Sequence, residues 1–564
     1  MNIQNVSGWR KQSSRDLKFV TLLFVAAFLM LLSTSSALGQ GFKMTQLNPP
    51  GFQAGTAIPY GVNASEAVVG FGTATSGATV GFLYSGGKYT TLDFPKKNTF
   101  TRASGINDSN EIVGDWYEAS ANTYHGYTYV NGTYQQYDVG GKVSTSIFGV
   151  NSAGHFAGAE GHQGSTGFVK GFIYTGSGNP TEFFASGKDA TYVYAINSSD
   201  EVVGEYLDSS NVAHGFYRSA AGKITAIEYP GATQTVAYGI NDAGEITGTY
   251  INASNLPYGF TYIKGKYAST DFAATRGINS KGAYVGFYWG VDGVASGYLA
   301  SPQAFTLSTV KVPGNQQAQL LGVNNSGVTV GAYVNSKGLE RGLMISGGKV
   351  TNIDDSKGVT TDCFSVNSAG DIVGLYTDSS GNSHGFEYTS GKFKDIPGPK
   401  GSLGSAALGI NDSGTIAGFY LDSNGIPRGF VLTSGKYKTL NVPGAEYTLA
   451  RGINNGGMVT LQWQDSAGYR QSSLYNGKKY TTINVPGAAV NEVGSINTAG
   501  DIVYSISDPY GVGHAALKQG NAYFVFDYPK GSNAGAQGIN DSNLMVGSYD
   551  PSGKTTPEPF EGTE

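Results

Sequence analysis

The sequence predicts an all-β chain built from tandem β-propellers, and three observations lead to this fold class. A short phrase ending in asparagine recurs twelve times at the spacing of a propeller blade. Each interval contains four short strand patterns, and no segment after the N-terminal region carries a long helical apolar period. The composition agrees, because 84 Gly and 37 Tyr with only 14% charged residues suit many short strands joined by tight turns.

The repeated phrase is a small residue, then Ile or Val, then Asn. Its copies lie between 38 and 46 residues apart. An asparagine side chain can bond nearby backbone groups and tolerates left-handed φ, so we predict a structural role in the turn between the first two strands, and no role as a ligand. The twelve residues are Asn63, Asn107, Asn151, Asn197, Asn241, Asn279, Asn324, Asn367, Asn411, Asn454, Asn497 and Asn540.

One unit shows the pattern of strands and turns clearly. Strands are predicted over 405–411, 415–422, 428–433 and 436–442, each bounded by Gly, Pro, Asn or Asp. Together they form one antiparallel meander. Such a meander cannot bury both of its faces alone, so neighbouring units must stack on it.

The repeat is interrupted at unit six and at the chain end, which predicts two closed rings. Unit six lacks the short turn between its third and fourth strands, and the chain ends after a third-strand remnant, Pro559-Phe560. Two fourth-strand sequences, at 42–49 and 305–312, have no unit of their own. If 42–49 completes unit six and 305–312 completes unit twelve, no free edge remains. We therefore predict two six-bladed propellers, residues 42–302 and 303–564, with a single twelve-bladed ring as the alternative.

Residues 1–39 have the pattern of a secretory signal peptide. Basic residues between Arg10 and Lys18 precede an apolar run over 19–32, and small residues follow up to Gly39. The run is shorter than the roughly 20 residues that span a bilayer. We expect cleavage near Gly39 and a secreted, periplasmic or cell-surface protein, with a retained signal anchor as the alternative.

Charge and cysteine content limit the classes of partner. The formal net charge is -5 and the body of the chain has no Lys/Arg cluster, so nucleic acid is not an expected partner. Loss of the basic N-terminal residues removes support for attraction to membrane surfaces, and we expect no membrane insertion after cleavage. The single cysteine, Cys363, cannot form an intramolecular disulfide, so the packing of regular repeats must stabilise the fold.

The repeat also resembles a known family. Residues 365–376 (SVNSAGDIVGLY) are followed by His384-Gly385-Phe386, and residues 195–206 (AINSSDEVVGEY) by His214-Gly215-Phe216. This is similar to the bacterial extracellular repeat family called HAF, named for a His-Ala-Phe tripeptide. The resemblance covers nearly the whole mature chain, although Gly usually replaces Ala. It implies export, and it brings no established activity and no catalytic residues.

Candidate catalytic and metal-binding residues are few, and we expect no cofactor and no metal. Four histidines occupy equivalent starts of third strands: His125, His214, His384 and His514. Equivalent positions in different blades lie apart, so we expect a structural or solvated role for these histidines. His155 and His162 lack the cysteines or dense acids of a zinc site. The G-x-S-x-G match at 381–385 lies in a predicted hairpin loop, without the helix that a nucleophile elbow requires.

The loops after strands two and four vary in length and content, as at 95–103 and 397–406, whereas the other turns are stereotyped. In an up-and-down blade these variable loops share one face, an arrangement typical of binding proteins. We therefore predict a non-catalytic binding or scaffold module whose partner is an extracellular protein or a carbohydrate. The alternative is a polysaccharide hydrolase or lyase, which requires carboxylates, or a His with a carboxylate, that converge at a channel mouth.

Overall fold

A computed structural model describes residues 36–96, 99–141, 144–161, 169–187, 189–270, 274–289, 294–312, 317–508, 511–529, 531–552, 554 and 556–564, with side chains from Gly41 onward. Most of the predicted signal peptide, and His162, lie outside these ranges. The described residues form 47 strands and one short 3-10 turn at Val139–Gly141, without any α-helix. No helix in this part of the chain has the length and hydrophobicity needed to span a bilayer. The predicted all-β class, built from four-stranded antiparallel units, is confirmed.

The chain divides into two compact units. The first unit contains Lys43–Pro302, and the second contains Gln303–Glu564 together with the N-terminal residues up to Phe42. Strand β1 (Ser36–Leu47) and strand β24 (Ala295–Thr309) each have residues in both units.

The first unit contains five separate four-stranded antiparallel sheets. In chain order they are Ile58–Val62 (β2), Val68–Thr73 (β3), Thr79–Ser85 (β4), Lys88–Leu92 (β5); Thr99–Ile106 (β6), Ile112–Glu118 (β7), Thr123–Val130 (β8), Thr133–Tyr137 (β9); Thr145–Val150 (β10), Phe156–Glu160 (β11), Lys170–Tyr174 (β12), Thr181–Phe183 (β13); Ala190–Ile196 (β14), Val202–Leu207 (β15), Ala213–Arg218 (β16), Ile224–Ile227 (β17); and Gln234–Ile240 (β18), Ile246–Ile251 (β19), Pro257–Ile263 (β20), Lys266–Ser269 (β21). Strands Ala274–Ile278 (β22) and Tyr284–Trp289 (β23) follow and pair in the order β22–β23–β24.

The second unit contains four such sheets. They are Gln317–Val323 (β25), Thr329–Val334 (β26), Glu340–Ser346 (β27), Lys349–Ile353 (β28); Thr360–Val366 (β29), Ile372–Thr377 (β30), Ser383–Thr389 (β31), Lys392–Ile396 (β32); Gly404–Ile410 (β33), Ile416–Leu421 (β34), Pro427–Thr433 (β35), Lys436–Leu440 (β36); and Tyr447–Ile453 (β37), Val459–Gln464 (β38), Arg470–Tyr475 (β39), Tyr480–Thr482 (β40). The last strands are Val490–Ile496 (β41), Ile502–Ser507 (β42), Gly513–Gln519 (β43), Ala522–Phe526 (β44), Gly531–Ile539 (β45), Met545–Pro551 (β46) and Glu558–Thr563 (β47).

Strands β22 and β23, and strands β45 to β47, do not form four-stranded sheets of their own. Residues of β1 and β24 pack or pair with them and supply the missing strands. In the second unit, residues 306–309 of β24 pair with residues 560–563 of β47, and Phe305 and Leu307 are buried in that core with Phe526 and Phe560. In the first unit, Leu47 of β1 is buried against Val285 and Leu299, on β23 and β24. Within the second unit, strands β41 to β44 pair in chain order, and strands β45, β46 and β47 pair in the order β45–β46–β47.

The first strands of successive sheets are neighbours, and in each unit the last one contacts the first. The order is β2, β6, β10, β14, β18, β22 and back to β2 in the first unit, and β25, β29, β33, β37, β41, β45 and back to β25 in the second. Glycine permits this close approach. A Cβ added to Gly105 would lie 2.7 Å from the carbonyl oxygen of Phe148 on the next first strand, so no larger residue fits without a shift of the backbone.

Candidate functional site

Each four-stranded sheet has two different ends, which we call the turn end and the loop end. The turn end carries the repeated asparagine and the tight turns after strands one and three. The loop end carries the longer connections after strands two and four. Because every sheet is antiparallel and its strands pair in chain order, both kinds of variable loop lie at the same end of a sheet.

The twelve repeated asparagines lie at the turn end, and their side chains are buried. In Asn411, Oδ1 accepts hydrogen bonds from the backbone N–H groups of Ser413 and Thr415, at 3.1 and 2.9 Å, which shapes the turn. Its Nδ2 donates to the backbone carbonyl of Asn454, the next asparagine in the series, at 3.1 Å. These amides are saturated by backbone groups and leave little capacity for a ligand.

The same donor–acceptor relation links the asparagines into two cycles of six. In the first unit, Asn279 donates to the carbonyl of Asn63 at 2.8 Å, which closes the series that Asn63 begins. In the second unit, Asn540 donates to the carbonyl of Asn324 at 3.0 Å and closes the other series. A small, open recess lies over the second cycle and is lined by the asparagines and by polar residues that include Asp412 and Asp541.

The four histidines at the starts of third strands each pair with a carboxylate. The pairs are His125–Asp138 at 3.0 Å, His214–Glu228 at 2.9 Å, His384–Asp378 at 2.9 Å and His514–Asp527 at 2.9 Å. Burial alone would lower the pKa of His214, but the hydrogen bond and charge of Glu228 raise it. Each pair stays within one sheet. Throughout the described ranges, no three His, Cys, Asp or Glu side chains are placed to hold a metal ion.

The remaining two candidates also fall in ordinary β-structure. His155 lies after the turn of Asn151 and pairs with Asp200 at 2.8 Å. Ser383, the serine of the G-x-S-x-G match, opens strand β31 and is paired with Thr377 of β30. The site therefore has a β-hairpin where a nucleophile elbow has a strand, a turn and a helix.

The inner surface of the first unit carries a ring of side chains that the sequence analysis did not single out. In each first strand the pairing register shifts at the residue three positions before the repeated asparagine. A β-bulge of this kind leaves one residue out of the ladder and redirects its side chain. The residues at this position are Tyr60, Ser104, Phe148, Tyr194, Tyr238 and Arg276.

Five of these side chains form a nearly continuous series of contacts. The rings of Phe148 and Tyr194 are 5.3 Å apart, and those of Tyr194 and Tyr238 are 4.8 Å apart. The guanidinium carbon of Arg276 then lies 3.7 Å from the ring centre of Tyr238 and 4.8 Å from that of Tyr60. All five are partly accessible to water, although protein surrounds them. We call this set the aromatic–guanidinium ring.

A carboxylate, Glu205, lies beside this ring. The Tyr194 hydroxyl donates a hydrogen bond of 2.6 Å to its Oε1. Burial raises the pKa of Glu205 above its ordinary value, while the hydrogen bond from Tyr194 and the charge of Arg276 oppose the shift. Glu205 is therefore a weaker acid than a surface glutamate, a property shared by binding and catalytic carboxylates.

Arg102 and Asp115 form a charged pair in the second sheet. Arg102 Nε and Nη2 donate to the two oxygens of Asp115 at 2.7 and 2.6 Å, and Asp115 is fully buried. This bidentate geometry is the strongest form of the arginine–carboxylate contact. The Arg102 guanidinium also lies 4.8 Å from the ring centre of Tyr124 and 5.8 Å from that of Phe71.

Three aromatic side chains form a row at the loop end of the second sheet. Phe100, Tyr117 and Tyr124 are directly paired across strands β6, β7 and β8. The rings of Phe100 and Tyr117 are stacked at 5.7 Å with an interplanar angle of 9°, and those of Tyr117 and Tyr124 are 4.9 Å apart. Phe100 is 47% exposed. We call this set the aromatic row.

Exposed apolar side chains are concentrated at the loop ends. Of the nine large exposed hydrophobic residues in the described ranges, only Val130 and Ile263 lie at turn ends. The other seven are Phe100, Leu256, Trp289, Val359, Leu403, Tyr469 and Val512.

The bulged positions of the second unit are lined differently. They include Leu321, Phe364, Leu408 and Arg451, and the side chains of Leu321 and Leu408 are buried. Leu408 packs with Leu375 and Phe419 in an apolar cluster. Aromatic and charged groups accessible to water at this layer are therefore more abundant in the first unit.

The sequence contains a signal for the aromatic–guanidinium ring. The position three residues before each asparagine varies between Tyr, Ser, Phe, Arg, Leu, Gly and Gln, while its neighbours are mostly Ala, Gly, Ile and Val. A variable position inside an otherwise constant phrase indicates a side chain that does not belong to the repeated core. Aligning the twelve units by this position would have found Tyr60, Tyr194, Tyr238 and Arg276.

No family model matches the chain, so the resemblance to HAF repeats stays a prediction. No curated protein matches it either. Among solved structures, the SapL1 lectin in complex with alpha methyl fucoside is similar, with 11% identity, a TM-score of 0.30, and coverage of 42% of this chain and 90% of the lectin.

A gluconolactonase from Xanthomonas campestris is similar at 12% identity and a TM-score of 0.30, covering 46% of this chain and 89% of the other. The BP39L lectin from Burkholderia pseudomallei is similar at 11% identity and a TM-score of 0.24, covering 57% and 94%. Similarities this weak do not indicate what this chain binds.

Proposed function

We propose that the protein is an exported, non-catalytic binding protein made of two six-bladed β-propellers, and that its first unit binds carbohydrate at the loop end. The observation that carries the proposal is the aromatic row. A sugar ring has a face of C–H groups that packs on an aromatic ring, and hydroxyl groups that need polar partners at the rim. Stacked, partly exposed rings beside Arg102 supply both kinds of contact.

The six-bladed organisation is supported by the asparagine cycles. Six hydrogen bonds return to their starting residue in each unit, and the first strands follow the same order of neighbours. A single twelve-membered ring would instead require Asn279 to donate to Asn324. Export is supported by the apolar N-terminal segment.

Binding of soluble neutral and acidic oligosaccharides to residues 40–564, measured by calorimetry, tests the function. Phe100→Ala and Tyr124→Ala should each weaken binding about tenfold or more, because they remove stacking surface worth about 1.4 kcal/mol or more. Val130→Ala is the matched control, since Val130 is 42% exposed but lies at the turn end. Failure of every oligosaccharide to bind, or equal effects of Phe100→Ala and Val130→Ala, would contradict the proposal.

One observation favours a second candidate, a polysaccharide hydrolase or lyase. Burial raises the pKa of Glu205, as a general acid requires, although the hydrogen bond that Tyr194 donates to it opposes this shift. The second carboxylate at this depth, Asp115, is occupied by Arg102 on both oxygens, which favours binding over catalysis. Release of reducing ends by the wild type, abolished in Glu205→Gln, would establish the enzyme instead.

A further inference from the structure

Arg276 has no carboxylate partner among the described residues. Its guanidinium lies against the rings of Tyr238 and Tyr60, with Phe287 at 5.7 Å, and its buried Nε has no hydrogen-bond partner. The Arg102 guanidinium in the same unit is, by contrast, held by both oxygens of Asp115. A guanidinium surrounded by protein, with no carboxylate of the described chain within ion-pair distance, is costly to retain, so its presence indicates a partner that arrives from outside.

Glu205 does not fill this role. Its Oε1 accepts the hydrogen bond from Tyr194, and within the described chain no ion pair within 4.0 Å joins it to Arg276. One face of the Arg276 guanidinium lies on the ring of Tyr238, and the side chain as a whole is partly accessible to water.

The aromatic row and Arg276 belong to one continuous surface. Arg102 contacts Tyr124 of the row on one side and Phe71 on the other. Phe71 stacks on Tyr60 at 5.0 Å, and Tyr60 contacts Arg276. An elongated ligand that lies on the row can therefore extend inward to Arg276 along Phe71 and Tyr60.

We infer that the ligand of the first unit carries a carboxylate that binds Arg276, so that the protein takes acidic sugars of the uronate class. This inference rests on the proposed carbohydrate binding. A guanidinium presents parallel N–H groups that match the two oxygens of a planar carboxylate, and a ring stacked on one guanidinium face leaves that edge free. The aromatic rings on either side bind the sugar ring that bears the acid.

Calorimetry with an oligogalacturonate and with a neutral oligosaccharide of the same length tests the inference. Arg276→Gln should weaken oligogalacturonate binding about 30-fold and leave the affinity for the neutral oligosaccharide unchanged. Arg276→Lys should give an intermediate loss of oligogalacturonate affinity, because lysine cannot form the bidentate contact. Arg218→Gln is the matched control, since Arg218 also lies over an aromatic ring, at 4.7 Å from Phe183. Thermal unfolding of each variant checks that Arg276 is not needed for folding.

The outcomes separate this inference from the proposed function. If neutral sugars bind and the oligogalacturonate does not, the inference is wrong and carbohydrate binding stands. If a sulfated oligosaccharide binds through Arg276 and the uronate does not, the carboxylate assignment is wrong. If Arg276→Gln weakens the binding of both sugars equally, Arg276 stabilises the structure of the site and does not bind a carboxylate, and the inference is wrong. If no sugar binds, the proposed function itself is wrong.

Discussion

The carboxyl groups of Glu340 and Asp362 in the second unit interact directly with each other. Both residues are buried, at 8% and 5% exposure, and one oxygen of each has no partner. Burial raises both pKa values, and the neighbouring acid raises that of Glu340 further, to about 10, with that of Asp362 at about 7. Two carboxyl groups this close cannot both ionise cheaply, so they share a proton.

We predict that this pair lowers stability as the pH rises. A carboxyl group with an ordinary pKa near 4 has lost its proton in the unfolded chain at pH values where the folded pair still holds one. Stability therefore falls between about pH 4 and the raised values near 7 and 10. Glu340→Gln should flatten this dependence and stabilise the protein at pH 9 by on the order of 2 kcal/mol. Urea unfolding at pH 5, 7 and 9 measures both effects.

The second unit contains a matched control at the equivalent place. Arg470 opens strand β39 as Glu340 opens β27, and Glu492 lies five residues before its asparagine as Asp362 does; this pair is a salt bridge. Glu492→Gln should therefore destabilise the protein, opposite in sign to Glu340→Gln. Cys363, which interacts with both Asp362 and Asp354, is unchanged in both variants. An unaltered pH dependence in Glu340→Gln would contradict the shared proton.

We predict that Asn411→Ala destabilises the protein by about 2 to 4 kcal/mol, because three hydrogen bonds to backbone groups are lost and these buried groups are left unpaired. Equilibrium unfolding in urea measures the change. Asn424→Ala is the control, since Asn424 is exposed in the loop between strands β34 and β35. Equal stability of the two variants would show that the asparagine cycle contributes little.

We predict that Gly114→Ala lowers stability by about 1 to 3 kcal/mol and disturbs the first unit's site. A Cβ at this position would collide with the carbonyl oxygen of Arg102 and lie 2.9 Å from the Tyr127 ring. Displacement of Arg102 should also weaken binding on the aromatic row. At Gly456 the nearest atom is 3.4 Å away, so Gly456→Ala should be almost neutral in the same unfolding and binding assays.

We predict a pH-dependent contribution from His214. Its pKa is raised in the folded protein, so the stabilisation is fully present below about pH 6.5 and is lost as the pH rises through the folded value. His214→Gln should remove a contribution smaller than about 1 kcal/mol, since both partners are partly exposed. Glu228→Gln should remove most of the same dependence, with Asp208 at 3.5 Å from His214 supplying the remainder, and the effects of His214→Gln and Glu228→Gln should not add. Additive effects between pH 6 and 8 would exclude the pair as the cause.

The repeat and its strands were predictable because they depend on local interactions. In the unit at 405–444 the predicted strands agree with β33 to β36 within two residues at each end. Asparagine turns, glycine positions and period-2 patterns each act over a few residues, so they are visible without the fold. Even so, the hydrogen bond from one asparagine to the next spans about one whole repeat, and no local pattern contains it.

What the sequence by itself determined is an all-β chain of twelve similar units, with the asparagine in each first turn and the variable loops at one end. Only the tertiary structure decided which side chains meet on the inner surface. Arg276 contacts Tyr238 and Tyr60 because a β-bulge turns each of them out of its strand and the series of first strands returns to its start. The contact between Arg276 and Tyr60 joins residues more than 200 positions apart, so neither the composition nor the period of the repeat predicts it.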